Sequence, residues 1–246
     1  LIRSIIIRKE KSMSSILTSG CGITFGQQGR ASWTKVLRVC GIDIVDAGGP
    51  AVSNEYILNK TIETICNLQQ PIDHVVCQLT GVGKLDIDVS GVEYQHRQRL
   101  PQTDNMRNFT WEGLWPSSSS RVGTIKKDYY KWYYSERLEL QNIIVKLTLL
   151  DMLCKQKDIP LTILQGYFID WKNVKSESYL NMLDKIDFDK DFVIYDYYKQ
   201  SKSYAKHDFT GGNNLPNKEF AVHFAKKLNR EILHLDIENK LAKFNE

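Results

Sequence analysis

The sequence predicts an α/β fold, a three-layer α/β/α sandwich around a mostly parallel sheet. Short apolar segments typical of buried strands alternate with longer segments of helical periodicity, and small or polar residues follow the strands. At 246 residues the chain is long enough to bury one substantial core. We therefore expect a single domain over residues 14–246, preceded by an N-terminal extension over residues 1–13.

The first part of the chain alternates strand, helix, strand, helix. Residues 16–18 form a short apolar strand. Residues 32–39 carry apolar side chains at helical spacing, and Gly41 after them is a plausible helix C-cap. Residues 42–45 form the second strand, and Ser53 has the side chain of an N-cap for a helix that extends to about residue 68.

The middle of the chain interrupts this alternation. Residues 74–79 form a continuous apolar strand of the kind that is buried in parallel sheets. Residues 82–135 then break the pattern, and because structureless insertions of this length are uncommon in compact domains, we predict a lid or a substrate-facing flap there. Residues 138–154 return to strong helical periodicity.

The last third of the chain contains shorter elements. We predict a fourth strand over residues 161–164, a short helix over 178–186, a short strand over 192–195 and a final helix over 217–231.

The loops after the strands should lie together. In open parallel sheets, ligands bind beyond the carboxyl ends of the strands. One crevice should therefore be lined by residues 20–26, 46–54, 80–86 and 165–171.

Composition argues against several classes of protein. A net charge of +4 gives no continuous basic stripe, so nucleic-acid binding is disfavoured, and no apolar run is long enough to span a membrane. The five cysteines form no CxxC pair, which favours buried, reduced thiols and disfavours a metal site. Residues 1–11 are too short for a signal peptide, so we expect a cytoplasmic protein. We expect no cofactor. Composition leaves the oligomeric state open.

Residues 20–26, Gly-Cys-Gly-Ile-Thr-Phe-Gly, resemble the first block of the SGNH (GDSL-like) hydrolases in the variant Gly-Cys-Ser-x-Thr-x-Gly. The resemblance implies a flavodoxin-like SGNH fold and a crevice that binds acylated substrates. At the position of the family's serine nucleophile this chain has Gly22, which carries no hydroxyl. Cys21 beside it is a substitute nucleophile or a packed thiol.

The second block of the family, Asn-x-Gly-x-x-Gly-x-Ser-Asn, resembles residues 46–54. Its oxyanion glycine falls at Ala51, which retains the backbone N–H that this position supplies. The resemblance implies that Gly49, Ala51 and Asn54 contact the substrate. Without the family, Gly48, Gly49 and the following proline are a tight turn before a helix, and both interpretations can hold.

The third block, Gly-x-Asn-Asp, aligns with Gly81, and its asparagine position becomes Gly83, so a side-chain donor is lost. Lys84 is a possible replacement charge. The resemblance implies that these three residues lie at the substrate.

The last block of the family, with its Asp-x-His pair, resembles residues 212–217, where Leu215 stands at the position of the histidine base. The carboxylate that orients this base is replaced as well. His207 and Asp208, a few residues upstream, are possible substitutes.

Trp115 belongs to an aromatic and basic segment in the insertion, which is similar to segments of SGNH-like proteins of phages and marine microbes. Aromatic faces stack on sugar rings, and the alternative is that they pack on the edge of the sheet.

These departures from the family's blocks lead to three hypotheses. The first is a degenerate SGNH-like protein that binds a carbohydrate or an acylated glycan. The second is an active esterase or acyltransferase on O-acylated glycans that uses Cys21 or His207. The third is a viral structural or assembly protein, which would be associated with the virion.

Overall fold

The computed structural model describes residues 15–25, 32–49, 52–83, 85–88, 111–114, 129–200 and 218–242. The strands are β1 (Ser15–Ser19), β2 (Asp43–Asp46), β3 (His74–Leu79), β4 (Leu85–Asp88), β5 (Trp111–Leu114) and β6 (Leu161–Gln165). The α-helices are α1 (Gly22–Phe25), α2 (Trp33–Val39), α3 (Asn54–Asn67), α4 (Glu136–Gln156), α5 (Glu177–Leu183), α6 (Ile194–Gln200), α7 (Lys218–Leu228) and α8 (Glu238–Ala242).

Four parallel strands form the central sheet in the order β2-β1-β3-β6. The register pairs Leu17 of β1 with Val45 on one side and with Val75 on the other. This is the strand order of flavodoxin-like folds. The prediction of an α/β sandwich around a mostly parallel sheet is confirmed, and so are its four main strands.

Helices cover both faces of this sheet. The chain moves from β1 to β2 in one direction and from β2 to β3 in the other, so right-handed crossovers place α2 and α3 on opposite faces. Helix α4 packs against α3, and α7 packs against α2. On the α2 side, the Trp33 and Phe224 rings meet edge to face with centroids 6.3 Å apart, and both side chains are buried.

Serine caps set the start of the main helices. The hydroxyl of Ser53 accepts the N–H of Tyr56 at 3.2 Å, and the hydroxyl of Ser32 accepts that of Lys35 at 3.3 Å. At the end of α2, Gly41 has a φ of +84° and its N–H donates to the Arg38 carbonyl at 2.8 Å. This is the left-handed conformation that makes glycine common after a helix, as the sequence predicted.

The predicted strand over residues 192–195 is wrong. Val193 forms a single parallel bridge with Gln165, and helix α6 begins at the next residue. The N–H groups of Asp191 and Phe192 both donate to Asp189 Oδ1 at 3.0 Å, so this segment turns instead of extending along β6.

Part of the predicted insertion is described. Strands β4 and β5 pair antiparallel, with Leu85 opposite Leu114, and a π-helical turn covers Tyr129–Tyr133. The prediction of a lid stays a prediction, because most of residues 82–135 and all of residues 1–13 lie outside the described residues. Within the described ranges, no helix combines the length and the apolar character needed to cross a membrane.

Gly48 generates a prediction about stability, because its backbone lies directly against that of Gly20. A β-carbon on Gly48 would overlap the Gly20 backbone nitrogen and oxygen and the Phe25 ring. The neighbouring bonds from Ala47 N–H to the Thr18 carbonyl (2.8 Å) and from Gly49 N–H to the Gly20 carbonyl (3.1 Å) restrict relaxation. We expect Gly48→Ala to lower the free energy of unfolding by about 1–3 kcal/mol, because the added methyl group overpacks this contact. Urea denaturation of the wild type and the variant measures this difference.

The control for this measurement is Val39→Ala on α2, where the side chain is 73% exposed. Its free energy of unfolding should stay within about 0.5 kcal/mol of the wild type. Equal stabilities of Gly48→Ala and Val39→Ala would contradict the close approach of the two glycine backbones.

Candidate functional site

The loops at the carboxyl ends of the strands contact one another, as the sequence predicted. Gly49 N–H donates to the Gly20 carbonyl at 3.1 Å, which joins the loops after β2 and β1. Gly166 N–H donates to the Leu79 carbonyl at 2.8 Å, which joins the loop after β6 to the end of β3. The candidate site is this edge of the sheet.

The side chain of Gln78 forms the polar centre of this edge. It is fully buried, and its Nε2 donates to Cys21 Sγ at 3.2 Å and to the Leu79 carbonyl at 3.3 Å. Its Oε1 accepts the Thr24 hydroxyl. A β-carbon on Gly166 would overlap the Gln78 amide, so a larger residue there would displace this side chain. Sequence reasoning missed Gln78, although a glutamine within an otherwise apolar buried strand was the available signal.

Gly22, predicted from the resemblance to stand at a nucleophile position, has no reactive side chain, and its assignment to that position stays a prediction. Gly22 is the first residue of α1 and is buried. The adjacent Cys21 is only 5% exposed, and its sulfur accepts the Gln78 amide. The Cys21 thiol is therefore a packed and hydrogen-bonded side chain in this structure.

Tyr167 closes the site from the loop after β6. Burial raises the pKa of its hydroxyl, and Cys21 and Tyr195 raise it further, so the phenol stays protonated. Its ring lies 5.5 Å from that of Tyr195, centroid to centroid. Tyr195 is in turn held by its N–H, which donates to the Gly166 carbonyl at 3.1 Å.

Asn54, predicted to contact the substrate, makes two bonds to the backbone of Thr80. Its Nδ2 donates to the Thr80 carbonyl at 3.0 Å, and its Oδ1 accepts the Thr80 N–H at 2.7 Å. The side chain is fully buried. In this structure Asn54 therefore positions the loop after β3, and its contact with a substrate stays a prediction.

Glu139 of α4 binds the loop after β3, which contains the predicted substrate-contacting residues Gly81 and Gly83. Its Oε2 accepts the Gly83 N–H at 2.7 Å, and Gly83 has a φ of +84°. Burial raises the pKa of the Glu139 carboxyl, bonds from Gly83 and Tyr134 lower it, and the nearby carboxylates of Glu136 and Glu55 raise it further. The net effect is a raised pKa. Sequence reasoning missed Glu139, because nothing in its helical spacing marks it as a partner of a loop far away in sequence.

Two exposed aromatic side chains, Trp132 and Tyr133, precede Glu139 by a few residues in sequence. Trp132 and Tyr133 are 67% and 77% exposed, and Lys131 Nζ lies 4.4 Å from the centroid of the Trp132 ring. They precede Tyr134, which hydrogen-bonds Glu139. From the other side of the site, Phe168, next to Tyr167, is 68% exposed.

The other predicted positions are glycines or lie outside the described residues. Gly49, Gly81 and Gly83 are buried in the contacting loops. The predicted positions outside the described residues, which stay predictions, are Ala51, Lys84, Trp115, His207, Asp208 and Leu215.

Two histidines of the described ranges are bound to hydroxyl groups. His223 bonds the hydroxyl of Tyr197. His74, at the amino end of β3 and so at the opposite end of this strand from Gln78, bonds the hydroxyl of Thr162 at 2.8 Å. Among the described residues, no group of three or more His, Cys, Asp or Glu side chains could hold a metal ion. Cys21, Cys40, Cys77 and Cys154 are buried free thiols and Cys66 is exposed, as composition predicted for reduced cysteines.

Comparison with known proteins found likenesses of fold only. No protein-family model matches the chain, and no curated protein sequence matches it. The psychrotrophic esterase EstA from Pseudoalteromonas sp., in a structure inhibited by monoethylphosphonate, is similar at 10% identity and a TM-score of 0.49, over 90% of this chain and 97% of that chain. The lipase/acylhydrolase from Enterococcus faecalis is similar at 11% identity and a TM-score of 0.41, over 92% of this chain and 99% of that chain.

A third similar structure is AlinE4, an SGNH-hydrolase family esterase, at 10% identity and a TM-score of 0.41, over 90% of this chain and 96% of that chain. The fold class of this chain rests on its own strand order and register.

Glu139 generates a prediction about pH. Because its native pKa is raised, the folded state binds this proton more tightly than the unfolded state. Its contribution to stability is therefore full below the ordinary glutamate pKa and is lost as the pH rises through the native pKa. Glu139→Gln can still accept the Gly83 N–H but does not ionise. Between about pH 4 and pH 7, the wild type should lose stability relative to this variant in urea denaturation.

The matched control is Glu63→Gln, which changes an exposed carboxylate on α3 that pairs with Lys60 at 2.9 Å. Its difference from the wild type should not follow the pH dependence of Glu139→Gln. If the stabilities of the wild type and Glu139→Gln stay parallel across this range, the raised pKa of Glu139 is contradicted.

Proposed function

We propose that the chain is an SGNH-like protein that binds a carbohydrate or an acylated glycan in the crevice at the carboxyl ends of the strands, without efficient hydrolysis. The observation that carries this proposal is the connection from the exposed aromatic side chains through Tyr134 and Glu139 to Gly83. It ties an aromatic surface to the loop where an SGNH hydrolase would hold its substrate.

The aromatic side chains have the properties of a sugar-binding platform. Trp132 and Tyr133 expose most of their surface, although large aromatic side chains gain free energy when they are buried. Planar rings of this kind stack on the apolar faces of sugar rings. The nearby Lys131 adds a cation that suits an acidic sugar.

The start of α4 fixes this platform relative to the crevice. The Ser135 hydroxyl accepts the Leu138 N–H at 3.4 Å, and Asn173 Nδ2 donates to Glu136 Oε1 at 2.9 Å. The first turn of α4 is thereby held by the loop after β6 as well as by Gly83 of the loop after β3. These bonds support our proposal that a ligand stacked on Trp132 or Tyr133 would also reach the crevice.

The absence of a nucleophile at residue 22 supports binding without turnover. Removing the nucleophile of a Ser–His–Asp triad eliminates most of its rate enhancement. Cys21 could replace it only if its thiol left the bond from Gln78 and became accessible, and it is 5% exposed. The bonds of Gln78 to Thr24 and Leu79 hold the amide in place against such a change.

The platform predicts a specific loss of glycan binding. On a glycan array, followed by titration calorimetry with the strongest ligand, Trp132→Ala/Tyr133→Ala should weaken binding by about tenfold or more, because stacking on two rings is removed. Met152→Ala is the matched control, since Met152 is 61% exposed and lies near the other end of α4. A wild-type protein that binds no glycan, or equal affinities of the two variants, would overturn the proposal.

The second candidate is an esterase or acyltransferase that uses Cys21. Its support is the position of the sulfur at the carboxyl end of β1, 3.2 Å from an amide donor and close to Tyr167. In this reaction the Cys21 thiolate would attack the carbonyl carbon of the ester, release the alcohol, and form a thioester that water then hydrolyses.

An esterase assay separates the two candidates. With para-nitrophenyl acetate, we expect the wild type and Cys21→Ala to release nitrophenol at the same, near-background rate, because the buried thiol is not presented. Cys66→Ala, which removes the exposed cysteine, controls for nonspecific acetylation of thiols. A turnover that Cys21→Ala abolishes and Cys66→Ala retains would establish the second candidate in place of the first.

A further inference from the structure

A half-open cavity of about 320 Å³ lies beside β6, outside the crevice described above. It is bounded by β6, by the segment over residues 187–192, and by the end of α7 with the turn that follows. Its apolar walls are formed by Leu161, Ile163, Phe192, Phe224, Leu228 and Ile232. This volume is within the range of known ligand sites, which begins at roughly 300 Å³.

The cavity occupies the place where a further strand would pair with β6. On its inner side β6 pairs with β3, with Val76 opposite Thr162 and Cys77 opposite Ile163. On its outer side, within the described part of the chain, the strand pairing consists of the Gln165–Val193 bridge.

The segment before Val193 forms a turn instead of a strand along β6. Asp189 Oδ1 accepts the N–H groups of Asp191 and Phe192, and the Lys190 carbonyl accepts Gln165 Nε2, which holds this turn at the carboxyl end of β6. These backbone groups are therefore committed to a turn. Among the described residues, the edge of β6 over residues 161–164 therefore borders the cavity and no strand.

One side of the cavity rim is acidic, because Asp187 and Asp189 are exposed there. On the other side Glu231 pairs with both Lys227 and Arg230, so its charge is balanced. Lys190, next to Asp189 in the chain, pairs with Asp184 at 3.2 Å. The charges of Asp187 and Asp189 therefore favour a ligand with positive charge at that side of the rim.

We infer that β6 and this cavity bind an extended polypeptide segment of alternating apolar and basic residues by strand addition. The backbone of such a segment would bond the outer edge of β6, and every second side chain would point toward the apolar wall of Phe224, Leu228 and Ile232. The four residues 161–164 span about 13 Å, enough for a short strand. Basic side chains at the ends of the segment would face Asp187 and Asp189.

This site is separate from the glycan crevice, and neither proposal depends on the other. The whole chain carries a net charge of +4, so a basic peptide is repelled by the protein as a whole. Binding of a basic peptide therefore requires a local acidic surface, which makes charge a discriminating test.

The first experiment measures fluorescence anisotropy of a labelled peptide, Lys-Val-Lys-Val-Lys-Val, titrated with the full chain. We expect saturable binding, and binding at least about tenfold weaker for Glu-Val-Glu-Val-Glu-Val, since its charges oppose the rim. Asp187→Lys should weaken binding of the basic peptide several-fold. Asp236→Lys, at an exposed aspartate that does not line the cavity, should leave it unchanged.

The second experiment fills the cavity. Ile232→Trp should weaken binding of the basic peptide by about tenfold or more, as loss of an anchor pocket does. Leu235→Trp changes another half-buried residue that does not line the cavity, and it should bind as the wild type does. Circular dichroism and thermal unfolding verify that each variant is folded, and bound peptide should shift the amide resonances of residues 161–164 in NMR spectra.

Several results would overturn the inference. One is the absence of wild-type binding up to about 1 mM peptide, the weakest affinity that a specific site would show. Others are equal affinities of Ile232→Trp and Leu235→Trp, or unchanged resonances of residues 161–164 on binding. Self-association through this edge, seen as a dimer in sedimentation that peptide does not dissociate, would assign the surface to a second copy of the chain instead.

Discussion

The buried amide of Gln78 joins the loops that follow β1, β3 and β6. It donates to the Cys21 sulfur and the Leu79 carbonyl, accepts the Thr24 hydroxyl, and lies against Gly166. A buried amide is costly unless its donors and acceptor are satisfied, and here they are. The glycines that approach it are consequences of this arrangement, because a β-carbon on Gly20 or Gly166 would overlap Gln78 itself.

The hydrogen bonds of Gln78 continue into the second helix. The Thr24 carbonyl accepts the Thr34 hydroxyl at 2.7 Å, and Thr34 and Ser32 share a bond of 2.9 Å at the start of α2. The site edge is thus built as a connected polar network inside an apolar core. Such a network favours one conformation of α1. A nucleophile needs an accessible and activated side chain, whereas this network holds the Cys21 thiol in a buried hydrogen bond.

The sequence predicted the central sheet well because its strands are strongly patterned. The bounds of β3 were predicted as observed, since a continuous apolar run is typical of a strand buried on both faces. Ser53 predicted the start of α3, since its hydroxyl is a strong N-cap. The alternation of strands and helices was enough to predict that the loops of the site lie together, because the carboxyl ends of parallel strands share one edge of the sheet.

Contacts between residues distant in sequence were not predictable in the same way. The bond of Glu139 to Gly83 joins a helix to a loop, and no local pattern encodes it. The apolar character of residues 192–195 matches a strand and the first turn of a helix equally well over so short a segment. The outcome depended on Asp189, whose carboxylate accepts the N–H groups of Asp191 and Phe192 and so holds a turn instead of a strand.

This one local departure from a strand affects both candidate sites. After Val193, the N–H of Tyr195 donates to the Gly166 carbonyl, and the Tyr195 ring lies 5.5 Å from that of Tyr167. Before Val193, the turn that Asp189 holds interrupts the pairing with β6, and among the described residues the cavity borders residues 161–164 there. A continuous strand before Val193 would have occupied this edge of the sheet. The Gln165–Val193 bridge therefore separates the part of the chain that reaches the crevice from the part that bounds the cavity, and Asp189 is the residue whose carboxylate ends the pairing on the cavity side.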